Sequence, residues 1–124
     1  MKNINKNNLK QIEIYSEPQD INYIICKVNQ DRIAKCGYYN GTKEGWILKL
    51  EKVKNYKYVL CVVNSIVKKV YEVDSWQQCK NSRRIKFNGK EASQEISSVF
   101  LEKRIPDIYR KKGCANPVQY KKEQ

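Results

Sequence analysis

The chain has 124 residues, 40% of them apolar, and carries 25 Lys and Arg against 13 Asp and Glu, a net charge of +12 with no histidine. That length suits one ordinary domain with a modest core, and no apolar run approaches the roughly 20 residues of a membrane-spanning helix. The missing histidine excludes Ser-His-Asp and Cys-His catalytic pairs and any His-based metal site.

The basic excess favours polyanionic ligands: nucleotides, nucleic acid or an acidic membrane. Most of these cations are Lys, and a solvated Lys surface accounts for them equally well. Four of the five Arg, namely Arg83, Arg84, Arg104 and Arg110, fall in the last third of the chain. The cysteines Cys26, Cys36, Cys61, Cys79 and Cys114 are odd in number and form no C-x-x-C. They read as free thiols, with Cys26 and Cys61 as small core hydrophobes.

Residues 1–11 read as a loose polar segment without the apolar region of a secretory signal. A single α+β ligand-binding domain is expected over 12–124. Ile12 to Tyr15 alternates like a short strand, and Pro18 marks a turn. Ile21 to Val28 is a strand and Asp31 to Cys36 a helical turn. Cys36 to Thr42 reads as a loop, because Asn40-Gly41 is turn chemistry. Order resumes at Trp46, and Leu50 and Val53 suit a short helix.

Tyr58 to Val63 and Ile66 to Trp76 flank Asn64-Ser65, which predicts a central hairpin. Arg83 to Asn88 alternates as a third strand beside it, turned by Gly89-Lys90. Glu91 to Leu101 has Ile96, Val99 and Phe100 at helical spacing after Ser93. Pro106 is placed to start a further short helix that stops near Gly113. Val118 and Tyr120 suit an edge strand. The fold class is therefore α+β: an antiparallel β-sheet with a central hairpin and short C-terminal helices.

Three groups of residues are candidates for binding. In a strand, Arg84, Lys86 and Asn88 share one face and Ile85 and Phe87 the other. That is an ordinary amphipathic strand with Phe87 in the core, unless Phe87 reaches the rim to stack on a base beside Asn88. Arg104, Pro106, Tyr109 and Arg110 bring cations and an aromatic ring to a helix start, which attracts anions; a solvated basic helix fits them too. Tyr38, Tyr39 and Trp46 suit a pocket or an oligomer interface, while Trp46 and Trp76 equally suit anchors of a small core.

The segments Gly45-Trp46, Tyr58 to Val63, Val70 to Trp76, Arg84 to Gly89, Lys103 to Pro106 and Gly113 to Tyr120 together resemble the Thoeris anti-defence family of phage sponge proteins. Such proteins hold cyclic ADP-ribose-type signals of TIR-domain immune enzymes without cleaving them. The resemblance implies a non-catalytic, cytoplasmic protein of an infected or lysogenic bacterial host. It implies a homo-oligomer, dimeric or built from dimers, with pockets at subunit interfaces, and no cofactor or metal. It also implies that Phe87 stacks on adenine, Asn88 anchors polar groups, and Arg104 and Arg110 hold pyrophosphate, with Tyr109 beside them. A small basic nucleic-acid-binding module, such as a modified-base reader, is the alternative.

Overall fold

The computed structural model describes residues 12–110 and 117–122. Strand β1 spans Tyr23–Lys27, β2 Glu44–Ile47, β3 Tyr58–Val63, β4 Ile66–Gln78, β5 Arg84–Glu91 and β6 Val118–Tyr120. They form one sheet in the order β2-β5-β4-β3-β1-β6. All neighbours are antiparallel except β1 and β3, which run parallel with Cys26 opposite Cys61. Helix α1 is Gln30–Cys36, α2 Tyr38–Lys43, α3 Leu50–Val53 and α4 Gln94–Phe100, and Asp107–Tyr109 forms one 3-10 turn. The fold class is α+β, with a mostly antiparallel sheet. No helix of the described residues is long and apolar enough to cross a membrane.

The central strands are apolar at successive positions because both faces of the sheet are covered. Alternation divides their side chains between two cores. Ile24, Cys26, Val59, Cys61, Ile85 and Phe87 face α1 and α3, which contribute Ile33 and Val53. Tyr23, Ile25, Leu60, Val62, Val67 and Val70 face Phe100 of α4, with Tyr15, Ile105 and Tyr109. Helices are therefore not confined to the C-terminal end. The short N-terminal ones close a sheet face that would otherwise leave Phe87 and Ile85 in water.

The predicted hairpin is β3–β4. Asn64 and Ser65 both take positive φ, 52° and 69°, as a two-residue type I′ turn requires. Beside it, β5 pairs with β4, and β6 lies at the edge against β1. Helix α1 starts where Asn29 accepts a hydrogen bond from the Arg32 amide at 2.8 Å, and α4 where Ser93 accepts one from Ile96. Caps of this kind contribute about 1 kcal/mol each.

Four expectations change. Ile12 to Tyr15 makes only an isolated bridge, Ile14 to Arg104. The segment read as a loop around Asn40-Gly41 contains helix α2. Packing of Tyr38 and Tyr39 onto the core outweighs the local turn preference there. Gly89-Lys90 does not turn the chain, since β5 runs through both residues to Glu91. The helix at Pro106 is a single 3-10 turn, so it offers no helix terminus for an anion. The expected stop at Gly113, the Cys114 thiol and the 1–11 segment lie outside the described residues.

Candidate functional site

The predicted binding residues do not converge. Phe87 is 1% exposed and Tyr109 0%, and they belong to different cores on opposite faces of the sheet. Phe87 packs edge-on against Tyr39 and Trp76 at 5.9 and 5.6 Å between ring centroids, so its faces are not open to adenine within the folded chain. The amphipathic-strand reading holds for it. Tyr109 lies in a buried network, where its hydroxyl donates to Glu17 at 3.1 Å and accepts from the Lys122 amide at 3.0 Å.

Asn88 is exposed on the outer face of β5, opposite Ser75. The Arg104 backbone ties down the N-terminal segment, donating to the Glu13 carbonyl and accepting from the Tyr15 amide. Arg110 pairs with Asp107 at 3.2 Å and lines a 440 Å³ cavity with Lys27, Asn29, Asn64 and Ser65. Both Trp act as anchors: Trp46 donates to the Thr42 carbonyl at 2.6 Å and Trp76 to the Tyr56 carbonyl at 3.1 Å.

What the fold does assemble is a cleft of 410 Å³ between α2 and the β4–β5 pair. Tyr38 and Tyr39 form one wall, Tyr71 and Gly89 the floor, and Lys69, Lys90 and Glu91 the rim. Arg32 fixes the wall in place. Its guanidinium donates to the Gly41 carbonyl at 2.7 Å and to the Glu44 carbonyl at 3.0 Å, clamping the end of α2. The Tyr39 hydroxyl accepts a hydrogen bond from the Gly89 amide at 3.0 Å. Its ring meets Tyr71 edge-on at 5.4 Å. Burial pushes the Tyr71 phenol well above its ordinary pKa, so it stays a neutral hydrogen-bonding group.

Cations surround these rings. Lys43 Nζ lies 5.5 Å from the centre of the Tyr39 ring and Lys69 Nζ 5.8 Å from that of Tyr38. Lys69 also pairs with the Glu91 carboxylate at 3.2 Å. Glu91 is largely exposed, so the pair is weak and open to exchange with another anion.

The two largest cavities suit an aromatic anion less well. In one of 890 Å³, Tyr120 already meets Lys52 at 4.2 Å and Tyr56 at 4.9 Å. In another of 520 Å³, Glu17 lies on the wall, and Lys121 is bound to the Pro18 and Ile21 carbonyls. The sequence did single out Tyr38 and Tyr39. It did not identify Lys69, Lys90 or Gly89 as their neighbours, because that proximity depends on α2 folding back over β5.

Among the described residues no group of three His, Cys, Asp or Glu is placed to hold a metal ion. Comparisons with protein-family models, curated proteins and solved structures find no match to this chain.

Proposed function

We propose that this protein is a non-catalytic binder of a nucleotide-class anion: an anti-defence protein that holds a cyclic ADP-ribose-type immune signal intact and keeps its effector off. The observation that carries the ligand class is the cleft, which Tyr38 and Tyr39 line together with Lys69 and Lys90, with Lys43 against the Tyr39 ring. A base presents an apolar π-face and its phosphates present charge. Neighbouring aromatic rings and ammonium groups answer both. The particular signal, the cytoplasm of a bacterial host and a homo-oligomer follow from the family resemblance. The cleft replaces Phe87 and Tyr109 as the place where the base stacks.

Calorimetric titration with cyclic ADP-ribose isomers and cyclic di- and trinucleotides tests the proposal. The complex is then heat-denatured and the ligand recovered by chromatography. The expected result is a Kd of about 1 μM or tighter, −8 kcal/mol or better, with unmodified ligand released. Tyr38→Ala and Lys69→Gln each weaken binding about tenfold or more. Absence of binding across the panel, or recovery of a cleaved ligand, overturns it.

A further inference from the structure

The outer face of β5 carries Arg84, Lys86, Asn88 and Lys90 at alternate positions, opposite the buried Ile85 and Phe87. Alternate strand residues repeat at about 7 Å, so these side chains form a straight polar row. Across the pairing, β4 places Gln77 beside Lys86 and Ser75 beside Asn88, extending the row with neutral donors.

Three carboxylates stand near the three cations of the row, and one of them is already engaged. Glu72, opposite Lys90, pairs with Lys57 at 3.4 Å, while Glu44 stands opposite Lys86 on β2 and Asp74 sits in the β4 bulge. Arg84 donates to the Gly45 carbonyl through one nitrogen, which leaves further guanidinium donors for a ligand.

The row and the cleft lie on opposite faces of the sheet, because Tyr39 packs on Phe87 while the row points away from it, and the two meet at the edge of β5. Strand β2 pairs with β5 at Arg84, Ile85 and Lys86, so farther along, at Asn88 to Lys90, no strand of the described residues lies beside the outer edge of β5. Gly89 presents no side chain at that edge, and Lys90 belongs both to the row and to the rim of the Tyr38–Tyr39 cleft.

We infer that this face is a track for the sugar–phosphate backbone of single-stranded nucleic acid, which turns over the edge of β5 at Gly89 and Lys90 to deliver one unpaired base into the cleft. The base end of the inference rests on the nucleotide reading of the cleft; the backbone end rests on β5 alone. A cation row supplies sequence-independent affinity through counterion release, and an aromatic cleft selects an unstacked base. A duplex keeps its bases paired and has none to offer.

Fluorescence anisotropy with a labelled ten-nucleotide oligothymidylate, its duplex with oligoadenylate, and cyclic ADP-ribose as free competitor tests the track. The single strand is expected to bind at least tenfold tighter than the duplex. The double variant Arg84→Gln, Lys86→Gln is expected to weaken oligonucleotide binding tenfold or more. Its log–log salt dependence becomes shallower by about 1–2, with cyclic ADP-ribose binding unchanged. Tyr38→Ala weakens both ligands. Equal single-strand and duplex affinity, or a double variant that binds like the parent, overturns the track. Cyclic ADP-ribose binding without oligonucleotide binding overturns the track and leaves the cleft standing. Oligonucleotide binding that Tyr38→Ala leaves unchanged overturns the delivery of a base to the cleft.

Discussion

Gly89 lies so close to the Glu72 backbone that a Cβ built on it would overlap the Glu72 carbonyl oxygen. The approach arises where β4 bulges between Val73 and Ser75, pulling the two strands together opposite Gly89. The same glycine donates its amide to Tyr39 and floors the cleft, so one small residue serves both the strand pairing and the site.

Gly89→Ala is accordingly expected to lower stability by about 1–3 kcal/mol, the usual range for overpacking a tight contact. It also shifts Tyr39 and weakens any cleft ligand. Urea denaturation and ligand titration of the same variant measure both effects. An alanine variant with parental stability would show that the strands separate there without cost.

The sequence carries most of the sheet and little of the site. Runs such as Tyr58 to Val63 declare themselves because both faces of β3 are buried, and Asn64-Ser65 marks the hairpin through residues that tolerate positive φ. Helix α2 was hidden because Asn40-Gly41 favours a turn locally, while burial of Tyr38 and Tyr39 against residues of β4 and β5 decides otherwise. Phe87 and Tyr109 look alike as aromatics beside cations. Only the topology assigns them to opposite cores.

Ser65 occupies the left-handed region at φ 69°, which costs a residue with a side chain about 1–2 kcal/mol and costs glycine little. Ser65→Gly should therefore stabilise the hairpin by about 1 kcal/mol, net of the added freedom of the unfolded chain. The Ser65 carbonyl keeps its bond from the Ile105 amide in either case. Thermal unfolding is expected to shift upward by about 3–5 °C. A downward shift would mean that the Ser65 side chain contributes more than its backbone strain costs.

Phe87→Ala removes a buried ring packed against Tyr39, Tyr71 and Trp76. Its expected cost is about 3–5 kcal/mol of stability, a large share of the 5–15 kcal/mol typical of a domain. Any loss of binding should then follow the unfolded fraction. A Phe87→Ala chain that remains as stable as the parent but no longer binds nucleotide would return the stacking role to Phe87.

Among the described residues Glu91 is the one carboxylate lining the cleft, and a phosphate bound there would compete with it for Lys69. Glu91→Gln is expected to tighten anion binding severalfold while changing stability by less than about 1 kcal/mol, because the exposed pair is weak. Calorimetric titration at low and moderate salt reads this directly, with the larger gain at low salt. Weaker binding in the variant would show that Glu91 contacts the ligand itself.

Stability should also fall on the alkaline side. Burial, first of all, pushes the phenols of Tyr15 and Tyr23 far above their ordinary value of 10.0, and it pushes the Cys26 thiol above 9.0. The charged forms are disfavoured only in the folded chain, so the unfolded chain releases these protons first. Their contribution is complete below about pH 9 and is lost progressively as pH rises, by about 1.4 kcal/mol per group for each unit above the ordinary value. Urea midpoints from pH 8 to about 11 should therefore decline, gently at first as the thiol begins to count and steeply past the tyrosine value. Tyrosinate absorbance of Tyr15 and Tyr23 should appear only together with unfolding. A flat stability profile, or full tyrosinate absorbance in the folded protein, would mean that these hydroxyls reach solvent rather than the closed network around Glu17.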